Sequence, residues 1–537
     1  MKRPAEMPHR MPLLVGVMGI LLAAGPGVRT AMAQAKQAAP SQPSAAGPSK
    51  ELPLSMKRAV LLALKNNLQI AVQRFNPSIQ ATAVDKARAA FDPVASTSMS
   101  FSDTVTPSSA RTIIFGGPTR TEDENVDFEA EIKQKLALGT DVALVVSNLR
   151  TANTFNRFES EYETDVTLTV RQPILKNFGP TVNRKEIIIA QKDLSKSEIQ
   201  FEEDVSRIVA EVQRTYWDLV FAIEDLKVKK RSLRLAQDLL ERNKIQVEVG
   251  TMAPIEIVQA EAAVAKRDED VIVAQDAVKD AEDKLKNFLN FFNDPEKRNV
   301  SIIPIDRPTF SPEPVDLEKA IADALANRPD YAQAKLEIEK AELNLRAARN
   351  QLLPQLDIVG EGGYKANKGN LGSSVDDIFD ARNRHWSLGV ELSVPMGNRQ
   401  AKADYSRRTL ELGQARLRLK NLEQAILVQV PDVVREIEPD RVGVREAVRQ
   451  IETDIKRVRA TRAARVLAER KLDAEEKKLE VGISTNFQVL EFQEDLAVAE
   501  SNETKAIIDY NKSLINLERA KGTTLATNNI SLQRPPK

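Results

Sequence analysis

Histidine and cysteine, the side chains that most often do chemistry near neutral pH, are almost missing from this 537-residue chain, which has two His and no Cys. His9 lies in a segment expected to be removed, so His385 is the one imidazole of the mature chain. One imidazole without a thiol does not readily build a Ser-His-Asp triad, a His-cluster metal site or a zinc-thiolate site. It also excludes disulfides and a lipidated cysteine. No P-loop and no G-x-S-x-G occurs. Gly360-Glu361-Gly362-Gly363 lacks dinucleotide spacing and is expected to relieve crowding inside a strand. Basic and acidic residues balance at 77 each, so no overall field draws nucleic acid. No enzyme, no cofactor and no metal site is expected.

What the chain carries instead is one architectural pattern stated twice. Ala63-Leu64-Lys65-Asn66-Asn67 matches Ala324-Leu325-Ala326-Asn327-Arg328, and Phe91-Asp92-Pro93 matches Leu352-Leu353-Pro354, both at a spacing of 261. Gln172-Pro173-Ile174 answers Val394-Pro395-Met396, and Val249-Gly250-Thr251 answers Val481-Gly482-Ile483. The order is helix, proline, strands, proline, long helix, glycine, shorter helix, repeated once, as an internal structural duplication requires. The expected divisions are a first repeat over 51–292, a linker over 293–314, a second repeat over 315–525 and a disordered tail over 526–537. Ahead of these, the basic start at Lys2 and Arg3, an apolar run from Met11 to Ala24 and Ala31-Met32-Ala33 mark residues 1–33 as a signal peptide. Residues 34–50, rich in Ala, Pro, Ser and Gln, read as a disordered leader.

The helices are expected at 182–249, 254–290, 398–480 and 485–521. Charged residues make up 29% and aromatics 5% of the chain, a balance that suits long solvated helices better than a thick core. Neither Pro nor Gly interrupts Val182 to Val249, enough for a helix of about 100 Å. Ile257, Val264, Val271, Val278 and Leu285 fall on a seven-residue repeat, and Val489, Leu496, Tyr510 and Leu517 continue it in the second copy, broken at Glu503. Such seams pack against neighbouring helices with left-handed crossing. Pro431 and Pro439 are expected to kink or break the 398–480 helix.

Between the helices, strands are expected within 94–172 and 355–395. Val126, Phe128, Ala130 and Ile132 alternate with charges, as do Val166, Leu168 and Val170; Leu388, Val390 and Leu392 alternate in the second copy. This pattern fits a strand with one face in lipid and one in water, and equally a soluble half-buried sheet. The signal peptide, and the lack of a later apolar run long enough to span as a helix, favour an outer-membrane barrel. Phe101, Phe128, Tyr162, Tyr364 and Trp386 would suit its interfacial girdles. Lys135 to Val142, with Gly139, reads as a tight turn that gives the first copy four strands against two in the second. One chain is too short of strands to close a barrel, and open edges are not tolerated in hydrocarbon, so several chains must share one.

The chain resembles the TolC-type outer-membrane efflux proteins. The resemblance is carried by Val170-Arg171-Gln172-Pro173-Ile174-Leu175, Arg328-Pro329-Asp330-Tyr331, Ala347-Ala348-Arg349 before Leu353-Pro354, and Val481-Gly482-Ile483-Ser484-Thr485 with Asp509-Tyr510, in this order, and it covers nearly all of the mature chain. It implies an α+β membrane protein of two structural repeats: a homotrimeric coiled-coil barrel continuous with a β-barrel in the outer membrane of a Gram-negative bacterium, its helices in the periplasm. Twelve strands per trimer are implied; the extra hairpin makes eighteen possible. A passive channel of a tripartite efflux or type I secretion system is implied, working with a periplasmic adaptor and an inner-membrane transporter. A periplasmic coiled-coil adaptor or a structural scaffold also uses long helices, but neither needs paired strand-proline patterns.

The resemblance further implies that the turns around Gly250-Thr251 and Gly482-Ile483-Ser484 form the tunnel entrance and the adaptor contact. The family often has acids six and nine residues after the second glycine; this chain has Gln488 and Glu491 there, and Glu256 six residues after the first. Three Glu491 carboxylates at one constriction would attract cations. Glu491 as a merely solvated helix residue is the alternative. The sequence does not name the cargo.

Overall fold

The computed structural model describes residues 51–532, except 156, 158, 313, 381–382 and 428–442 and the side chain of Thr112. The expected signal peptide, leader, Pro431 and Pro439 lie outside the described residues. The first half runs β1 (Glu51–Leu54), α1 (Met56–Asn66), α2 (Leu68–Gln73), α3 (Phe75–Arg88), β2 (Val94–Pro107), α4 (Ala110–Ile114), β3 (Arg120–Lys135), β4 (Asp141–Asn153), β5 (Glu161–Pro173), α5 (Pro180–Asn183), α6 (Lys185–Glu248) and α7 (Ile255–Leu289). The second runs β6 (Ser301–Pro304), α8 (Leu317–Asn327), α9 (Pro329–Asn350), β7 (Gln355–Lys368), α10 (Leu371–Phe379), β8 (Arg384–Ser393), α11 (Arg399–Leu427), α12 (Val444–Glu480), α13 (Asn486–Lys521) and α14 (Thr524–Thr527).

The two halves use matching local structure at matching positions. Helices α1 and α8 are each 11 residues long and stop at residues with nearly identical extended backbone, Asn67 (ψ 124°) and Arg328 (ψ 125°). Helices α7 and α13 both end on a left-handed residue, Asn290 (φ 57°) and Gly522 (φ 71°). In α7 the seven-residue seam buries Val271 and Leu285, while Ala260, Ala274 and Ala281 fill the alternate seam positions and let α6 come close. Glu503, which interrupts the α13 seam, accepts hydrogen bonds from Arg462 Nε (2.9 Å) and Arg465 Nε (2.5 Å) of α12, so the break in the apolar pattern is filled by charge.

Residues 398–480 are not one helix, in line with the expected kink or break: Gly443 has extended backbone (φ −71°, ψ 150°), and α12 begins afresh after it. Two expectations are corrected. The expected linker contains β6, which pairs in parallel with β1. The expected disordered tail packs in its described part, where Ile530 and Leu532 lie against the α1–α6 core and Gln213 Nε2 donates to Asn528 Oδ1 at 2.9 Å. Four-residue strands and a short apolar tail show no periodicity to read in the sequence.

Strands β2-β3-β4-β5-β7-β8 form one antiparallel sheet in that order, with four strands from the first half and two from the second. The extra hairpin β3–β4 is an integral part of it. Its turn holds Gly139 at φ 96°, and the Gly179 amide donates to Leu138 O at 3.0 Å, which fixes the turn at the end of the sheet where the helices leave. The register sorts the sheet into two chemically distinct faces. One transverse row reads Ala95, Ile132, Leu144, Leu168, Gly362 and Trp386; the next reads Ser96, Glu131, Val145, Thr167, Gly363 and His385. All five aromatics expected at interfaces lie on the apolar face. That face is open to the surroundings, with Trp386 77% and Leu388 70% exposed. Arg171 crosses the polar face to Asp357 (3.0 Å) and Glu391 (2.7 Å). Of the glycines in β7, Gly363 is the crowded one: a Cβ there would collide with the Val166 carbonyl and approach His385 Cε1 to 2.9 Å.

Midway along the helices, a belt clamps the start of the chain to the inter-repeat segment. The buried Tyr216 Oη lies 3.0 Å from Leu54 O and 2.9 Å from Asp306 Oδ2, and it accepts from the Asp306 amide at 3.2 Å. Asp306 Oδ2 also accepts from the Met56 amide at 2.6 Å, so one carboxylate holds the first turn of α1. Burial raises the Tyr216 pKa, which keeps the phenol protonated. Tyr216→Phe removes the donor that Leu54 O and Asp306 Oδ2 share and leaves the Asp306 amide without its acceptor, a cost of about 1–3 kcal/mol. Amide exchange over 51–56 and 300–306 should accelerate by about tenfold or more, because the loss falls on local opening. Unchanged exchange would mean that the clamp does not hold the belt.

Candidate functional site

The helices farthest from the sheet meet in two tips of the same construction. Gly250 (φ 77°) and Gly482 (φ 80°) occupy the left-handed conformation that ends a helix, which a Cβ would penalise. After each, the chain closes with the same pair of bonds. Gly250 N donates to Val247 O (3.0 Å) and Thr251 N to Gln246 O (2.9 Å); Gly482 N donates to Leu479 O (3.0 Å) and Ile483 N to Lys478 O (3.0 Å). These satisfy the last free carbonyls of α6 and α12. Thr251 Oγ1 adds a second bond to Gln246 O at 2.9 Å. Val249, Val481, Ile483 and Phe487 are exposed here, so both tips end in bare apolar surface.

The tip side chains are tied to one another. Thr485 caps α13 through the Gln488 amide at 3.4 Å. Ser484 instead donates to Glu475 Oε1 at 2.5 Å, with Gln488 Oε1 3.1 Å away. The Ser484 hydroxyl and then Lys478 lower the Glu475 pKa. Glu256 joins the two tips: its Oε2 accepts from Asn486 Nδ2 at 3.1 Å, while the buried Asn243 reaches its backbone carbonyl at 3.5 Å. Glu491 is exposed on α13, beside a groove of about 380 Å³ that it shares with Gln259, Lys266, Arg267, Phe487 and Glu494. Lys266 pairs with Glu494 at 2.6 Å and lowers its pKa. Glu256, Gln488 and Glu491 therefore do not form one acidic cluster within a chain; Glu491 stands among both signs of charge.

Sequence reasoning missed the group that holds the tips to the stem. Arg267 occupies an alternate seam position of α7 and is buried. Its Nη1 donates to Ser232 O (3.2 Å) on α6 and to Gln493 Oε1 (3.0 Å) on α13, and its Nη2 donates to Leu490 O (2.7 Å). One guanidinium thus bridges three helices of both halves. Burial lowers its pKa, yet a guanidinium stays charged at any physiological pH. The signal was available, as a charge where the seam calls for an apolar residue.

Paired helices that end in short tips, joined at their far end to a sheet with one apolar exposed face, define an α+β channel-type architecture. Residues 59–290 and 320–436 match the family model described as outer membrane efflux protein, and the chain belongs to that family. The family consists of channels, not enzymes. The chain is 24% identical over 419 residues to the pyoverdine export outer membrane protein OpmQ of Pseudomonas putida, covering 77% of this chain and 80% of OpmQ. It is 23% identical to the outer membrane protein TolC of Vibrio cholerae, covering 62% of this chain and 72% of TolC. Among solved structures, its fold is similar to the Campylobacter jejuni CmeC outer membrane channel (TM-score 0.59, 16% identity, 87% and 86% covered). It is also similar to the outer-membrane channel OprN (TM-score 0.61, 14% identity, 87% and 90% covered).

Arg267 and Gln493 form a pair whose members are costly alone and dispensable together. Arg267→Met strands the Gln493 acceptor and should lower the unfolding free energy of the helical stem, read from urea titration, by about 1–3 kcal/mol. Adding Gln493→Leu should recover most of that loss. A double variant as unstable as the sum of the two single ones would mean that the two side chains are not coupled.

Proposed function

We propose that three copies of this chain form an outer-membrane duct that passively conducts substrates out of the cell, taking them from a periplasmic adaptor and an inner-membrane transporter. The observation that carries this is the six-stranded sheet, with one apolar exposed face and an unpaired strand, β2 or β8, at each edge. Backbone donors and acceptors left open in hydrocarbon cost several kcal/mol each, so a lipid-facing sheet must close on something. Closure on two further copies gives three times six strands, eighteen in all, rather than twelve. The polar face, with Glu131, Arg171, Asp357 and Glu391, then lines a water-filled lumen. A periplasmic adaptor or a coiled-coil scaffold would leave the apolar face without a solvent that suits it.

The helices form the periplasmic tunnel, and the tips are its entrance. Exposed Val481, Ile483 and Val249 offer apolar contact to an adaptor, and Gly250, Thr251, Gly482 and Ser484 set the turns that present them. Glu491, Gln488 and Glu256 belong to the gate. An adaptor opens it by contacting the open arrangement better than the closed one. The relative OpmQ, named for pyoverdine export, favours small-molecule efflux over protein secretion as the first use to test.

The purified protein should run as a trimer by native mass spectrometry and give discrete conductance steps in planar bilayers. Within each chain Lys266 and Arg267 offset Glu491 and Glu494, so Glu491→Gln leaves that groove net positive and should shift the reversal potential toward the anion value. It should also weaken block by multivalent cations without affecting assembly. An unchanged reversal potential would mean that Glu491 faces away from the tunnel; a monomer without conductance would overturn the duct itself.

A further inference from the structure

The loop between β7 and β8 carries a helix whose surface does not suit water. Helix α10 packs across β5 and β7 on the apolar side of the sheet. The fully buried Ser374 lies against Thr164 Oγ1 (2.8 Å) and donates toward the carbonyls of Tyr162 (3.1 Å) and Ala366 (3.4 Å). Thr164 and Ala366 are cross-strand partners in the same parity as Val166 and Tyr364, which puts the helix on the face that also presents Trp386 and Leu388. Of its two flanks, one is polar: Asp377 meets Lys368 at 3.7 Å and accepts from Asn383 at 3.3 Å. Lys368 is the last residue of β7 and Asn383 immediately precedes β8, so this flank points toward the strand ends and away from the helical stem. The other flank is a stripe of Leu371, Val375 and Phe379 at intervals of four, exposed by 47%, 37% and 83%.

We propose that α10 is an interfacial helix: it lies along the outer boundary of the bilayer and lays Leu371, Val375 and Phe379 into the acyl chains of the outer leaflet, with Asp377 turned to water. This rests on the barrel reading above. The stripe continues the apolar band of the sheet at its upper limit, where amphipathic elements settle with one flank in hydrocarbon. In the proposed barrel, neighbours join through β2 and β8, whereas α10 sits over β5 and β7. Arg384, one step above Trp386 on the same face, is placed to extend its guanidinium to the headgroups.

Because the chain has no cysteine, single nitroxide labels can be placed without background. Val375→Cys, Phe379→Cys, Asp376→Cys and Leu388→Cys would be labelled, reconstituted in phosphatidylcholine vesicles and compared for collision with oxygen and with a nickel chelate. Labels at 375 and 379 should favour oxygen over nickel, as at 388, with a ratio several-fold above that at 376. Nickel access at 375 and 379 equal to that at 376, or low access to both reagents, would overturn the proposal, the second result pointing to a protein partner. Nickel access at 388 would mean instead that the barrel reading has failed, and the helix assignment with it.

Discussion

Everything in this chain follows from a sheet that has an apolar face and no way to finish itself. Six strands leave two rows of backbone hydrogen-bonding groups open, at β2 and β8. Water would satisfy those rows but not the band of Ile132, Leu144, Leu168 and Trp386; hydrocarbon would satisfy the band but not the rows. The proposed edge-to-edge closure in lipid satisfies both. The helices inherit this requirement, because β5 and β8 each lead into a helix on the same side of the sheet, and so any closure of the sheet arranges them around the same axis.

The stems meet this with stiffness. Helix α6 spans 64 residues without Gly or Pro, and α7 and α13 bury seven-residue seams along it. Where the seams depart from apolar residues they substitute specific polar bonds: Glu503 to two arginines of α12, and Arg267 to Ser232, Leu490 and Gln493. Polar groups inside a seam specify register and neighbours more than they add stability. Arg267 holds α13 to α6 and α7 just above the tips, and this confines their independent movement to the short segment beyond it, where Glu256 and Asn486 link the two turns.

Much of this was legible in the sequence, for identifiable reasons. The stretch free of Gly and Pro places α6, and seven-residue spacing places α7 and α13, to within a few residues, since helices this long depend on their own periodicity. Alternation placed the strands, and Gly139 placed the hairpin that sets this sheet apart. The β1–β6 pairing was not legible, because four residues hold no period and their partner lies about 250 positions away. Two prolines announce a kink or break in 398–480, and the extended Gly443 stands just before the fresh start of α12. At the tips, residue types and spacing identified Glu256 and Glu491 but not their surroundings. That Asn486 claims Glu256, and that Lys266 and Arg267 stand beside Glu491, depends on how α7 docks against α13, which a linear pattern does not encode.

The account stands or falls on how the sheet closes. A cryo-electron microscopy map of the protein in lipid nanodiscs decides this, through its symmetry and its strand count. Three-fold symmetry with β2 of each chain paired to β8 of its neighbour, eighteen strands around one lumen, is the predicted result. A barrel of twelve strands with β2 and β3 folded outside it, or a sheet left open, would contradict it.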